Sequence, residues 1–407
     1  MPTGWTQGTL NDLCSVKKDV CRPGDAGQNV YIGLEHIESG RFFIQSFGQP
    51  DQVISSKNRF ASNDILYGKL RPYLDKAVVV EVDGICSTDI LVFEPKNNVP
   101  PIYILALLHT DQFIQYAKQT TDGVNHPRTS WASLREFPVE IPPILEQQKI
   151  AAVLFKIQKA IEIQESIIEK ARDLKKSTLH YVFTYGLRGE KLKETEIGPI
   201  PESWLIRKIG DIGKIVTGTT PPTKHKEYYE GGQYQFIAPN DIGKTTKIYS
   251  TEKKITDKGL DVSRILPKES VCFVCIGSTI GKVGITTEEK TTTNQQINAV
   301  IVNDDYDPSF VTYLMDYKSE YIASFASPSP VPILSKGKFE EISITLSPDL
   351  EEQQEIARGL MTIDEKIDLH TTKKSALQNL FQTMLNKLMT GEIRVKDLDI
   401  DVSEITA

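Results

Sequence analysis

The sequence predicts an α+β protein built as a tandem pair, two globular domains related by a pseudo-twofold axis and separated by a long antiparallel two-helix coiled coil. Three observations predict it. The segment 146–184 recurs without gaps as 352–390, with identities at Glu146/Glu352, Gln147/Gln353, Gln148/Gln354, Ile150/Ile356, Ala151/Ala357, Leu154/Leu360, Ile157/Ile363, Ile161/Ile367, Leu174/Leu380, Leu179/Leu385 and Thr184/Thr390. Its apolar residues alternate in spacings of three and four, the heptad pattern of helices that pack lengthwise. The stretches before the two copies repeat more faintly, with Trp5, Leu10, Asp12 and Leu13 aligning with Trp204, Ile209, Asp211 and Ile212. They mix strand and helix candidates without regular alternation, which favours α+β over a doubly wound sheet.

Strand candidates follow in the same order in each globular stretch. Tyr31, Ile32 and Ile37 align with Phe236, Ile237 and Ile242, and an apolar strand comes next at 64–67 and 270–273. Each leads into a run rich in glycine and lysine, Gly68-Lys69-Leu70-Arg71-Pro72 in one and Gly277-Ser278-Thr279-Ile280-Gly281-Lys282 in the other. Alternation marks further strands at 77–82, 90–93, 299–302 and 342–346, and helical stretches are expected at 102–119 and 308–325. The division is a first domain over 1–145, a spacer helix over 146–189, a linker over 190–203, a second domain over 204–350, a second spacer helix over 351–395 and an acidic tail over 396–407.

In the first spacer helix the seam is Ile150, Leu154, Ile157 and Ile161, with Gln164 further along it. In the second it is Ile356, Leu360, Ile363, Ile367, Leu377 and Phe381, interrupted by His370 and Lys374. At ~1.5 Å rise per residue each helix would extend ~58 Å. Neither can bury its stripe alone, so the two are expected to pair with each other. Ser347-Pro348 offers a capping hydroxyl before a proline at the first helical position, and Gly189 and Gly391 lie just past the last periodic residues.

At 407 residues the repeat decides for two domains, each large enough for its own core. No apolar run approaches the ~20 residues of a bilayer span, so no membrane partner is expected. Met1 to Trp5 lacks the features of a signal peptide, and a cytoplasmic location is expected. Five cysteines, an odd number, argue against a disulfide framework. Cys272 and Cys275 stand three apart on a strand, so they should point to opposite faces as buried strand residues, not converge on a metal.

Net charge is −7, yet the two domains carry only −3 and −1, and residues 351–407 carry −4. Near-neutral domains leave room for a one-sided basic face. Strong DNA binding would need a partner that brings more phosphate contacts.

Catalytic motifs are missing. Gly277 to Val283 fails as a P-loop, because three residues separate its glycines and Val283 replaces the magnesium-binding hydroxyl. The proline pairs lack the following aromatic that amino-methyltransferases use, since Thr223 follows Pro222 and Ile144 follows Pro143. Pro348-Asp349 with Asp364-Glu365-Lys366 superficially matches a metal nuclease, but on a helix. The histidines show no metal spacing. No catalytic residue, metal or cofactor is expected on this chain.

Candidates for DNA contact are polar and basic. In the first domain Lys57, Arg59, Lys69, Arg71 and Arg128 lie in turn-like surroundings, and Asn125 and His126 share a polar loop with Arg128. Arginine suits guanine and asparagine suits adenine. In the second domain Lys224, Lys226, Lys244, Lys247 and Lys282 read as phosphate contacts, and Asn294, Gln295 and Gln296 as base readers. A solvated loop or a polar strand end has the same composition, and that reading stays open for each residue taken singly.

This layout resembles the specificity subunit of type I restriction-modification systems over nearly the whole chain. The doubled order of domain then helix carries the resemblance, each helix opening on Glu-Gln-Gln at 146–148 and 352–354. So do Gly198-Pro199-Ile200-Pro201-Glu202-Ser203-Trp204 before the second domain and the two glycine- and lysine-bearing runs. The resemblance implies that each domain reads one half of a split, asymmetric site in double-stranded DNA while the helices set the gap. It also implies two modification subunits that bind S-adenosylmethionine and methylate adenine, and restriction subunits that cleave with ATP and magnesium. Self-association of the isolated chain through its helices stays open. Two rival readings stand beside this one, a coiled-coil interaction scaffold without DNA recognition and a catalytic methyltransferase or nuclease, the latter disfavoured by the missing motifs.

Overall fold

The structure is a computed structural model that describes residues 2–23, 30–96 and 98–406. It divides into two compact units, one of Met1–Gln164 with Lys373–Ala407 and one of Glu165–Thr372, so that each unit takes part of both long helices.

The first unit holds two four-stranded sheets. One runs Cys14–Val16, Ile90–Pro95, Ile65–Gly68, Ala77–Val79, all antiparallel. The other runs Val20–Cys21, Lys57–Phe60, Gly84–Cys86, Tyr31–Ile32, with its last pair parallel. A ribbon of Thr6–Thr9 and Pro138–Ile141 brings the chain start to the foot of the first long helix. The helical stretch expected over 102–119 is broken into Pro101–Leu108 and Asp111–Gln119. The Thr110 hydroxyl accepts the Phe113 N–H at 3.3 Å and so caps a new helix, while the preceding His109 turns its ring to Asp75, 2.7 Å away.

The second unit repeats the plan. A five-stranded sheet runs Gly213–Thr217, Ile297–Val302, Val271–Val274, Val283–Thr286, Lys247–Ile248, and a three-stranded one runs Lys253–Ile255, Tyr234–Ile237, Thr291–Thr293. Leu205–Lys208 and Ser343–Leu346 form the matching ribbon. Cys272, on the strand Val271–Val274, and Cys275, just past its end, are both buried but belong to different apolar clusters, so they do not converge on one point.

The long helices span Ile144–Tyr185 and Leu350–Met389. In the first unit Ile150, Leu154, Ile161 and Phe381 enter one core with Leu385, Leu388 and the domain residues Trp5 and Phe42, and Ile157 and Leu377 pack against it. In the second unit Ile356 and Leu360 share a core with Leu179, Phe183, Trp204 and Phe310. The helix stripes are therefore covered by globular domain as well as by the other helix, a correction to simple mutual pairing. Its cause is the width of the apolar stripe, which exceeds what one partner helix covers. The two seam residues Ile363 and Ile367 are only half buried and enter neither core. Beside them Asp364 accepts Lys175 at 2.7 Å, the Tyr313 hydroxyl at 2.7 Å and the Thr246 hydroxyl at 2.5 Å, so polar contacts replace apolar ones there. In this unit the ion pairs Lys175–Asp364 and Arg188–Asp349 fix the helix segments as antiparallel.

The helix ends also differ in detail from expectation. Asp349, not Ser347, caps the second helix, accepting the Glu351 N–H at 3.0 Å, while the Ser347 hydroxyl holds the Asp349 N–H at 3.1 Å. Gly186, not Gly189, ends the first helix, with φ +63° and a position where an added Cβ would stand 3.0 Å from a Glu352 oxygen. Gly391 does the same after the second, at φ +68°. Each Glu-Gln-Gln motif anchors its helix to its domain. The Trp5 indole donates to Glu146 and the Trp204 indole to Glu352, both at 3.1 Å, and Gln147 and Gln353 donate to the carbonyls of Pro142 and Ser347.

Candidate nucleic-acid interface

The two glycine- and lysine-bearing runs build the same turn in both units. The Arg71 N–H donates to Pro127 O at 2.8 Å, and the Gly277 N–H donates to Pro332 O at 3.0 Å. Earlier in each run, the Lys69 N–H donates to Asp89 O and the Cys275 N–H to Gln296 O. Arg71 holds the left-handed conformation at φ +52° that Gly277 holds at φ +97°. These bonds make Lys76, not Lys69, the counterpart of Lys282, since Gly68 and Val274 donate to their respective carbonyls. Both lysine amines turn inward, Lys76 to Leu34 O at 2.6 Å and Lys282 to Pro239 O at 3.4 Å, so Lys282 is tethered rather than extended toward solvent.

In the first unit this turn gathers five of the sequence candidates. The loop carrying Asn125 and His126 is closed by paired backbone bonds between Asp122 and Arg128, and Arg128 bridges to Leu70. Asn125, His126, Arg71 and Arg128 are exposed and Lys69 is half buried. Arg128 is engaged by a residue the sequence reading passed over. Its Nε lies 2.9 Å from Asp89 Oδ1 and its Nη2 3.2 Å from Oδ2. That bidentate bond, with the nearby charges of Lys69 and His126, holds the Asp89 carboxyl below the usual range. Asp89 lacked a sequence signal because it stands 39 residues from Arg128.

Lys57 and Arg59 lie apart from this turn, on the strand Lys57–Phe60. Lys57 is buried, its amine bound to the Ser55 carbonyl and hydroxyl and lying 5.7 Å from the Tyr31 ring centre. An amine so enclosed does not present itself to phosphate. Arg59 faces Asp19 at 3.9 Å.

In the second unit Asn294, Gln295 and Gln296 form a tight turn. Asn294 donates to Gln296 Oε1 at 3.0 Å and accepts the Gln296 N–H at 3.0 Å, while Gln295 accepts the Thr220 hydroxyl. Of the three, Gln295 is exposed and the other two half buried, so this turn presents one amide outward. Arg264, which sequence reasoning missed, is exposed nearby and donates to Thr217 O at 2.7 Å. Its polar surroundings were the same signal that selected Arg59. Lys224 and Lys244 are exposed in a turn and a bend, Lys226 is exposed at the start of the short 3-10 helix Lys226–Tyr228, and Lys247 is half buried on a strand. Lys226 lies 3.5 Å from Glu230, a pair so exposed that water and salt compete with it.

The pattern of the type I restriction modification DNA specificity domain matches residues 2–172 and 201–379. The chain is 27% identical to the putative type I restriction enzyme MjaX specificity subunit of Methanocaldococcus jannaschii, over 97% of this chain and 95% of that one. It is 22% identical to the type I restriction enzyme HindI specificity subunit of Haemophilus influenzae, over 96% and 99%. Its fold is similar to the crystal structure of a type I restriction-modification system S subunit from M. genitalium, at 16% identity and TM-score 0.67, over 95% of this chain and 96% of that one.

Proposed function

The chain belongs to the family of type I restriction modification DNA specificity domains, and from that premise we propose that it is the subunit that gives such a complex its DNA address. It is not itself an enzyme; methyl transfer and cleavage belong to partner subunits. The observation that carries this reading is the doubling, for the family pattern matches each half of the chain separately. Each half builds one turn of the same backbone design and decorates it with different polar side chains, which is what two different half-sites call for.

In this reading each domain reads one half of a split, asymmetric site in double-stranded DNA. The paired helices set the gap between the halves, and the domains are related by a pseudo-twofold axis. Two modification subunits with S-adenosylmethionine, and restriction subunits with ATP and magnesium, dock on the chain in the cytoplasm. The target adenine is extruded into a modification subunit, so this chain supplies position and sequence preference.

The test is co-expression with an adenine methyltransferase subunit that assembles with it, followed by mapping of N6-methyladenine by single-molecule sequencing. A split motif with a fixed gap is expected. An assembled complex that binds S-adenosylmethionine yet adds no methylation would favour the scaffold reading.

A further inference from the structure

The side chain of Arg128 is held through two of its donors, which leaves the other three for a ligand. A guanidinium has five N–H donors in a rigid plane. Asp89 takes the side formed by Nε and Nη2. The remaining edge, one donor on each of Nη1 and Nη2, is the pair that meets guanine O6 and N7 end-on. The side chain of Arg128 is 45% exposed and that of Asp89 29%, so the pair stands at the surface, and the edge not bound to Asp89 is the one left to meet a ligand.

The backbone around the pair is fixed independently of it. Arg128 and Asp122 exchange N–H donations at 3.0 and 2.9 Å, Thr129 donates to Lys69 O at 3.0 Å, and Lys69 donates to Asp89 O at 3.0 Å. Both ends of the ion pair thus stand on one braced turn, and the guanidinium enters an encounter with its rotamers already restricted. Pre-organisation of this kind removes much of the entropy cost of immobilising a long side chain. The same place in the second unit holds Gln296 and Ile333 instead of Asp89 and Arg128, with Ile276 bridging Ile333 as Leu70 bridges Arg128. The device is therefore particular to the first domain and not a requirement of the fold.

We propose that Asp89 is a positioning residue that aims Arg128 at a guanine in the half-site read by the first domain. This rests on the DNA-specificity reading above and adds to it the base and the pair of residues that select it. Lys69 and Arg71 flank the pair as phosphate contacts.

The test uses the full complex with its modification subunits and compares the wild type, Asp89→Asn and Arg128→Lys. The amide that replaces the Asp89 carboxylate keeps its shape but cannot accept both donors, and the amine that replaces the Arg128 guanidinium keeps its charge but offers no bidentate edge. Both variants are expected to relax the same guanine in one half of the methylated motif, lowering discrimination on the order of tenfold to a hundredfold, while the other half keeps its sequence. The salt slope of DNA binding should stay the same for Asp89→Asn, since no phosphate contact is lost. A merely structural role for Asp89 would instead weaken binding to all sequences alike, which would overturn the proposal. Relaxation at a base pair other than G·C, at different positions in the two variants, or at none would overturn it while leaving the DNA reading intact. Absence of any split motif in the wild-type complex would overturn both.

Discussion

Glu146 shows how much one carboxylate can organise. Its side chain is 2% exposed, accepts the Trp5 indole N–H, and takes Arg394 through two bonds of 2.7 and 2.8 Å. Replacing it with alanine leaves a partly buried guanidinium and a buried indole donor without their acceptor. That should destabilise the first unit by about 3 kcal/mol in chemical denaturation, the range for breaking a buried pair from one side. The Arg394 hydrogen bonds hold the Glu146 carboxyl below the ordinary carboxylate range, helped by Trp5. A carboxylate depressed on folding contributes its full stability above the unfolded value of ~4.3 and loses it as pH falls through the lower folded value. Wild type should therefore lose stability in that acid window more steeply than Glu146→Gln, as measured by denaturation midpoints between about pH 6 and pH 3. Equal slopes would show that the pair is not coupled to folding. The recurrence of Glu146 as Glu352 was plain in the sequence, but the reason for it was not, because the partner tryptophan lies 141 residues away.

At the scale of elements, a heptad names a stripe and not what covers it. Leu360 is fully buried in the second unit's core, whereas Ile363 on the same seam is half buried outside it. Leu360→Ala should cost ~2–5 kcal/mol by loss of burial and an unfilled cavity. Ile363→Ala should cost less than ~1.5 kcal/mol, because part of its surface already meets water and it enters no core, and thermal unfolding of the two variants separates them; equal losses would restore the simple two-helix seam. The same limit applies to strands. The elements at 64–67 and 270–273, the ribbon strand at 342–346 and both long helices were legible from apolar pattern and repetition, whereas the ribbon strands Thr6–Thr9, Pro138–Ile141 and Leu205–Lys208 were not. Lys57 was not, because Lys57, Asn58 and Arg59 look alike as polar residues until strand pairing turns the first of them into the interior. The break at His109 and Thr110 was hidden for a similar reason, since the apolar pattern runs through it and only a capping hydroxyl and a distant Asp75 divide the helix.

Across the whole molecule, charge decides how the chain meets DNA. A net charge of −7 opposes approach to a polyanion, and exposed lysines are interspersed with acidic neighbours, as Lys226 is with Glu230. Non-specific affinity follows the number of phosphates neutralised, so the isolated chain should bind weakly and with a shallow dependence on salt. The modification subunits would add further phosphate contacts and steepen the dependence of log K on log salt. Within the assembled complex, Lys244→Ala should reduce the magnitude of that slope by ~1 while weakening all sequences about equally, as removal of one phosphate contact requires. Arg128→Ala should behave in the opposite manner, relaxing one half of the motif with little change in slope. Titrations of cognate and scrambled duplexes at several salt concentrations measure both quantities together. If Lys244→Ala altered base preference instead, the division between lysines that position and amides or arginines that specify would be wrong for this chain. If neither substitution changed slope or preference, the DNA surface would lie on other faces of the two domains, and the turns they share would be only a device for joining strands.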